Sequence, residues 1–401
     1  MDTESADASF SHPEVKSGGI RFDRNELAGA FGDIGTDLPL IIGMIAAAGL
    51  DAASVLVMYG AMQVLTGLYY RLPMPVQPLK AVAILVITTA ASGKITKEVI
   101  YGGGLAIGLT MLALTVTGLM GLIGKIVPRV VVRGIQLGLG LQLTSLALGD
   151  YLRRDGAPGY WLAGAAFLVA LAFYGNRKYP AALFIIIGGA IYACIDKPAF
   201  LHTAGQNIGL NWPKFQVPAL ADIKQGFLTL ALIQVPLSIG NSILAAAQTS
   251  KDLFPERAPS LPKISFTYSA LNLINPFLGG VPTCHGSGGL AGYYAFGART
   301  GGAVLIYGSM YLVLGLFFSS GFQNIIQVFP YPVLGVILLF EGISMMLLVR
   351  DTAGEKLNFF IVLAVGVMAV GVPYGYLVAL ILGTLMAHLM PKLKTGFSAP
   401  N

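Results

Sequence analysis

Two carboxylates, Asp33 and Asp37, stand four residues apart in the apolar run Gly32-Asp33-Ile34-Gly35-Thr36-Asp37-Leu38-Pro39-Leu40. On a helix that spacing puts both on one face. Two carboxylates sharing a low-dielectric site repel, so one of them is expected to hold a proton, which is chemistry suited to proton coupling. The competing reading is that they cap or pair with backbone donors near Pro39, or with Lys80. Further along, Gln234-Val235-Pro236-Leu237-Ser238-Ile239-Gly240-Asn241-Ser242 sets Gln234, Ser238 and Asn241 at i, i+4 and i+7, beside a proline that breaks the local hydrogen-bond ladder. Such a stripe of neutral donors can hold an oxyanion. It can equally serve as polar glue between helices.

Two further stretches, Pro73-Met74-Pro75-Val76-Gln77-Pro78-Leu79-Lys80 and Pro282-Thr283-Cys284-His285-Gly286-Ser287-Gly288-Gly289, interrupt apolar sequence at matching places in the two halves. Pro78 suits the first turn of a helix that begins there, because its missing N–H is not needed. The amides of Leu79, Lys80 and Ala81 would then be free. In the second stretch Gly286, Gly288 and Gly289 allow close backbone approach to a bound group, while His285 and Ser287 add side-chain donors and Cys284 lies beside them. Two facing helix N-termini favour an anion, through their orphan amides and their dipoles. The glycines could instead serve tight helix packing alone.

Elements that position these residues follow from composition. The 401 residues are 55% hydrophobic and 11% charged, with mean hydropathy +0.73, far from the roughly 25% charged content of soluble domains. Apolar runs predict spans at 27–48, 52–70, a broken 74–91, 99–123, 130–149, 160–174 and 180–195, then 222–248, 264–279, a broken 281–295, 301–320, 332–349, 357–371 and 373–389. The predicted fold is thus an all-α integral membrane protein of fourteen segments, seven plus seven, with broken half-helices in segments 3 and 10. Its organisation is a disordered cytoplasmic tail 1–20, a first repeat 21–196, a connecting loop 197–221, a second repeat 222–390 and a cytoplasmic tail 391–401. Val127-Pro128-Arg129 and Phe329-Pro330-Tyr331 echo each other at an offset of 330 − 128 = 202. An N-terminus inside places 17 Lys and Arg inside and 7 outside, with Lys80 left in a broken segment, which supports both termini in the cytoplasm of a multi-pass cell-membrane protein. Seven is odd, so the second repeat enters inverted. Paired broken segments in inverted repeats point to a secondary transporter with its substrate site between them.

Other classes fare poorly. The net charge of +6 reflects loop topology and implies no nucleic-acid partner. Cys194 and Cys284 have no metal or disulfide spacing, and His202 and His388 lie in a loop and near the C-terminal end, so no metal and no cofactor is expected. Glu341 has no obvious partner, and Arg299 reads as an inside-loop anchor. An enzyme would need an acid–base pair or a metal cluster at one depth, whereas His285 and the aspartates fall in different repeats.

At these motifs, ending in Phe296-Gly297-Ala298-Arg299-Thr300, the chain resembles the molybdate transporter family, a branch related to the sulfate permeases. The resemblance covers 22–390. It implies uptake of molybdate, and the relationship to sulfate and uracil permeases implies two inverted seven-segment repeats forming a core and a gate domain. Two departures stand out. No room is left for the cytoplasmic regulatory domain many sulfate permeases carry, and Gln234 replaces the acidic residue that related symporters often use in the eighth span. Proton coupling would then fall to Asp33 or Asp37. Sulfate or another oxyanion is the alternative substrate, and an anion channel or membrane-embedded enzyme the alternative class. The bound oxyanion is expected on the amides of residues 79–81 and 285–288, helped by Gln77, Gln234, Ser238, Asn241, Cys284, His285 and Ser287, with Lys80 supplying positive potential and H⁺ as coupling ion. A lipid bilayer surrounds the protein, and a homodimer is an open assembly.

Overall fold

A computed structural model describes residues 19–89, 93, 95–174, 176, 181–197 and 208–392. Most of both expected tails, much of the connecting loop with His202, and Lys16, Lys94, Arg177, Lys178 and Lys394 of the charge count lie outside the described residues.

The first expected span is two helices, α1 (Arg24–Ala30) and α2 (Ile34–Ala48). Asp23 starts α1 by accepting from the amides of Asn25 and Glu26. The break at residues 31–33 lets Gly32 pack on the backbone of Gly292, where a Cβ would come within 2.6 Å of the Gly292 carbonyl. Helix α3 (Ala52–Tyr70) is capped by Asp51 and ends on Arg71 in the left-handed region. The chain then runs through β1 (Gln77–Pro78) into the short α4 (Lys80–Thr88). Next come α5 (Lys97–Val116), α6 (Leu119–Ile126), α7 (Arg129–Leu146), α8 (Gly156–Ala172) and α9 (Ala181–Asp196). A π-helical turn, Ala147–Tyr151, prolongs α7.

The second half opens with α10, a continuous run Leu220–Leu253 that widens into π-helical turns at Phe227–Ala231 and Ser238–Leu244. It continues through α11 (Leu261–Ile274), β2 (Thr283–Cys284), the short α12 (Ser287–Ala295), α13 (Gly302–Val328), α14 (Tyr331–Leu347), α15 (Lys356–Gly371) and α16 (Gly375–Leu389). Among the described residues eight helical runs are long and apolar enough to cross a membrane, and α8, α9 and α15 are shorter apolar helices. Large apolar side chains such as Trp161, Leu168, Ile195 and Val367 are exposed, as lipid-facing residues are.

Two groups of helices emerge from the packing. In one, α3 lies along α13, α5 along α11 and the start of α10, and α2 against α4; in the other, α7 is held by α14 and α15, α8 by α14, and α15 by α16. They meet where α14 touches α2 and where α7 touches α4 and the second π-turn of α10. Among the described residues the fold is all-helical but for β1 and β2, which pair antiparallel with Gln77 opposite Cys284 and Pro78 opposite Thr283. This pairing corrects the expected start at Pro78. The proline is spent in the strand, Leu79 donates its amide to the Pro282 carbonyl at 2.9 Å, and helix α4 begins only at Lys80.

Candidate functional site

The strand pair brings the starts of α4 and α12 together, and both approach loops are anchored by amide side chains. From α3, Gln63 donates to the Val76 carbonyl at 2.8 Å and accepts from the Val76 amide, while the Tyr59 hydroxyl donates to the same carbonyl. From α11, Asn272 makes the same two-way contact with Thr283, and Asn275, just past the end of that helix, donates to the Val281 carbonyl. A buried peptide group left unpaired costs as much as a lost hydrogen bond, so these side chains replace the ladder that proline and glycine interrupt. His285 is a further staple. Its Nδ1 lies 2.9 Å from the Pro75 carbonyl and its Nε2 2.9 Å from Thr267 Oγ1. A carbonyl can only accept, so Nδ1 donates and Nε2 accepts. Both ring nitrogens are thereby engaged, and the ring stands edge-on to Tyr70.

Around the start of α4 lies a buried charge cluster. Gln77 Nε2 donates to Asp33 Oδ1 at 2.6 Å. Asp33 Oδ2, both Asp37 oxygens, Gln77 Oε1 and Lys80 Nζ are buried with no hydrogen-bond partner within geometric reach; the Tyr59 hydroxyl near Asp37 is committed to Val76. Lys80 does not contact either aspartate. Its ion-pair partner is Glu341 of α14, with Nζ 3.5 Å from Oε1, which corrects the view of Glu341 as partnerless.

Gln234 caps α4 from another helix, its Oε1 accepting from the amides of Ala81 and Val82 at 3.1 and 3.3 Å. With Leu79 on Pro282, two of the amides expected to be free are therefore taken. Gln234 Nε2 donates to Ser238 Oγ, which meets the Tyr268 hydroxyl at 2.6 Å. The π-turn at Ser238–Leu244 rotates the expected stripe, so Asn241 points elsewhere: its Oδ1 accepts from Gln136 Nε2 at 3.2 Å and from Ser287 Oγ at 3.4 Å. Gln136 in turn accepts from Arg133 Nη1 at 2.9 Å. Arg133 and Arg129 both bind Asp351 and line a cavity of ≈ 580 Å³ beside Lys251. A polar chain thus leads from that basic cavity to the first residue of α12. Arg133 and Gln136 are missing from the sequence-based site, although Arg129, Arg133 and Gln136 share the i, i+4, i+7 spacing of one helix face.

Each glycine of the second loop faces a side chain. A Cβ on Gly286 would fall 1.6 Å from Gln77 Oε1, one on Gly289 2.3 Å from Asp33 Oδ2, and one on Gly288 2.5 Å from Met345 Cε. Cys284 is a buried free thiol in register with Gln77. Neither α4 nor α12 has a capping side chain from its own N-cap residue, and the Arg299 guanidinium donates to the carbonyls of Tyr294 and Ala298 and lies over the Tyr294 ring.

Paired strands feeding two short helices, inside two packed helix groups, define a multi-pass membrane protein of the fold seen in two solved anion transporters. The chain is similar to the transmembrane domain of a cyanobacterial bicarbonate transporter, BicA, with TM-score 0.66 and 16% identity over 92% of this chain and 98% of that one. It is also similar to the murine Slc26a9 anion transporter in its inward-facing state, with TM-score 0.67 and 12% identity over 92% of this chain and 68% of that one. A family model described as molybdate transporter of the MFS superfamily matches residues 25–143 and 226–345. Molybdate transporter 1 of Arabidopsis thaliana is 34% identical, covering 81% of this chain and 80% of its own length, and molybdate transporter 2 of the same plant is 32% identical over 86% and 83%. The chain belongs to the molybdate transporter family, a family of transporters and not of enzymes.

Proposed function

We propose that this protein imports molybdate across the cell membrane by proton-coupled alternating access, with the oxyanion held between the opposed N-termini of α4 and α12. The observation that carries the reading is Lys80: an ammonium 2% exposed, without a hydrogen bond, at the first residue of a helix whose start is clamped beside that of α12. A buried cation with unused donors at a helix N-terminus favours an anion on charge, dipole and hydrogen-bonding grounds together. Asn241 and Ser287, near the start of α12, add neutral donors, and the carboxylates Asp33 and Asp37 supply a place for the coupling proton. Gln77, Gln234, Ser238, Cys284 and His285 shape the site from behind.

In this reading residues 21–196 and 222–390 are inverted repeats of seven segments each, α4 and α12 are half-helices ending near mid-membrane, and both termini are cytoplasmic. The two stretches matched by the family model start 226 − 25 = 201 residues apart and are of similar length, which supports the repeat. The two helix groups are the moving parts, and a neutral-donor site suits them because binding stays favourable without trapping the ion.

Uptake of labelled molybdate into proteoliposomes tests the reading. Accumulation should rise with an inward proton gradient and persist in excess sulfate. Uptake indifferent to pH and to Na⁺ would remove the symport, and full competition by equimolar sulfate would reassign the substrate.

A further inference from the structure

Glu341 is the one member of the charge cluster that comes from the other helix group. Its Oε1 is 3.5 Å from Lys80 Nζ and, like that nitrogen, has no hydrogen bond. A formed, stable buried pair would add hydrogen bonds to repay desolvation; this one holds by charge alone. Unlike Lys80, Glu341 retains 20% exposure, and it borders a cavity of ≈ 480 Å³ between α2, α8, α9, α12 and α14, otherwise walled by residues such as Phe31, Phe173, Ile185 and Phe340. Asp33 and Asp37 are buried behind it, and Asp33 is already held by Gln77. Glu341 is therefore the carboxylate that both touches the cation and borders a cavity.

Among the described residues, the charged groups facing Glu341 are Lys80 from α4 and Asp33 and Asp37 at the start of α2, whose charges both act on it. From α8, its following turn and α9 the described residues that line the cavity are Ala170, Phe173, Tyr174, Asn176, Ala181, Ala182 and Ile185, none of them charged. On α7, Arg129 and Arg133 are committed to Asp351, and Tyr151 of the following turn gives its hydroxyl to the Pro39 carbonyl.

We infer that Glu341 is a tethered anion that occupies Lys80 until the substrate arrives: a proton reaching Glu341 through the cavity neutralises it, and the freed ammonium binds the oxyanion. The inference rests on the anion site proposed at Lys80, and deepens it by naming the group that exchanges with the substrate. A dianion approaching Lys80 meets a deprotonated Glu341 as competitor and as like charge. Binding and protonation then favour each other, and one proton enters with each anion. Because Glu341 sits on α14, release of Lys80 also unpins one helix group from the other.

The test is equilibrium binding of molybdate to the purified full chain from pH 5.5 to 8. For one linked proton, wild-type affinity should fall as pH rises, by at most about tenfold per pH unit. Glu341→Gln should bind at pH 8 at least as tightly as wild type does at pH 5.5, with a profile flatter by about one proton, and accumulation driven by a proton gradient should fall. A slope left intact in Glu341→Gln overturns the role of Glu341 alone. Wild type that binds no molybdate at any pH overturns the anion site together with it. Should Glu341→Gln fail to fold, Glu341→Asp serves: the shorter side chain draws back from Lys80, so affinity at pH 8 should rise several-fold with the slope kept, and wild-type affinity there overturns the inference.

Discussion

At the scale of single residues, Ser287 and His285 show how neighbours in sequence divide their work. Ser287 Oγ has only long contacts, 3.3 and 3.4 Å, to Gln136 and Asn241, so its hydroxyl is available to a ligand at the start of α12. Losing a donor whose partner stays buried costs roughly 1–3 kcal/mol. Ser287→Ala should thus weaken molybdate binding about fivefold to a hundredfold with the melting temperature unchanged; unaltered affinity in a titration would move the site elsewhere. His285, with both nitrogens engaged, should behave oppositely. His285→Ala orphans the Pro75 carbonyl, and about 1–3 kcal/mol of stability should be lost, visible as a lower thermal midpoint, while the folded fraction binds with near-normal affinity. Asp37, buried without a hydrogen bond, is the residue where charge rather than shape matters. Asp37→Asn should lower uptake driven by a proton gradient more than it lowers equilibrium binding. An equal loss of both would mean that the carboxylate only supports the site.

Elements explain which parts of this site the sequence made readable. Interruptions by Pro, Gly and polar residues in apolar runs are local signals, so both broken segments and most helix limits could be read within a few residues. What was invisible is carried by distant partners. Lys80 and Glu341 are 341 − 80 = 261 residues apart, and no periodicity links them. The π-turns in α10 likewise leave no pattern of their own, yet they decide that Asn241 faces Ser287 while Ser238 faces Tyr268. The glycines left two readings open for the same reason, and their empty Cβ positions face Gln77, Asp33 and Met345, which favours packing over ligand approach. This changes the expected order of severity. Gly286→Ala drives a methyl into a carboxamide pinned to Asp33 and should abolish uptake, whereas Gly288→Ala presses on the flexible end of Met345, with Glu341 Oε1 at an ordinary contact distance of 3.7 Å, and should retain much of it. Equal loss in the two variants, measured at matched expression, would restore close backbone contact with the anion as the reason for glycine.

For the whole molecule, the question is whether the two helix groups move against each other. Gln136 of α7 belongs to one group, and Asn241 and Ser287 belong to the other, yet their side chains form one polar cluster at 3.2–3.4 Å. The contacts are long for hydrogen bonds, so they can be broken and remade at little cost, and the basic cavity at Arg129 and Arg133 opens at the same boundary. Rigid-body rocking about a fixed site would separate Gln136 from Ser287 in one of the two states. A cleavable thiol cross-linker joining cysteines placed at 136 and 287, in a background with Cys194 and Cys284 replaced by alanine, should therefore stop transport, and cleaving the linker should restore it. The uncrosslinked double-cysteine protein supplies the baseline, because both positions line the site and lower its activity on their own. Transport that continues at this baseline rate after complete cross-linking would show that the two groups stay together throughout the cycle, leaving motion of α4 and α12 within one group to carry the ion across.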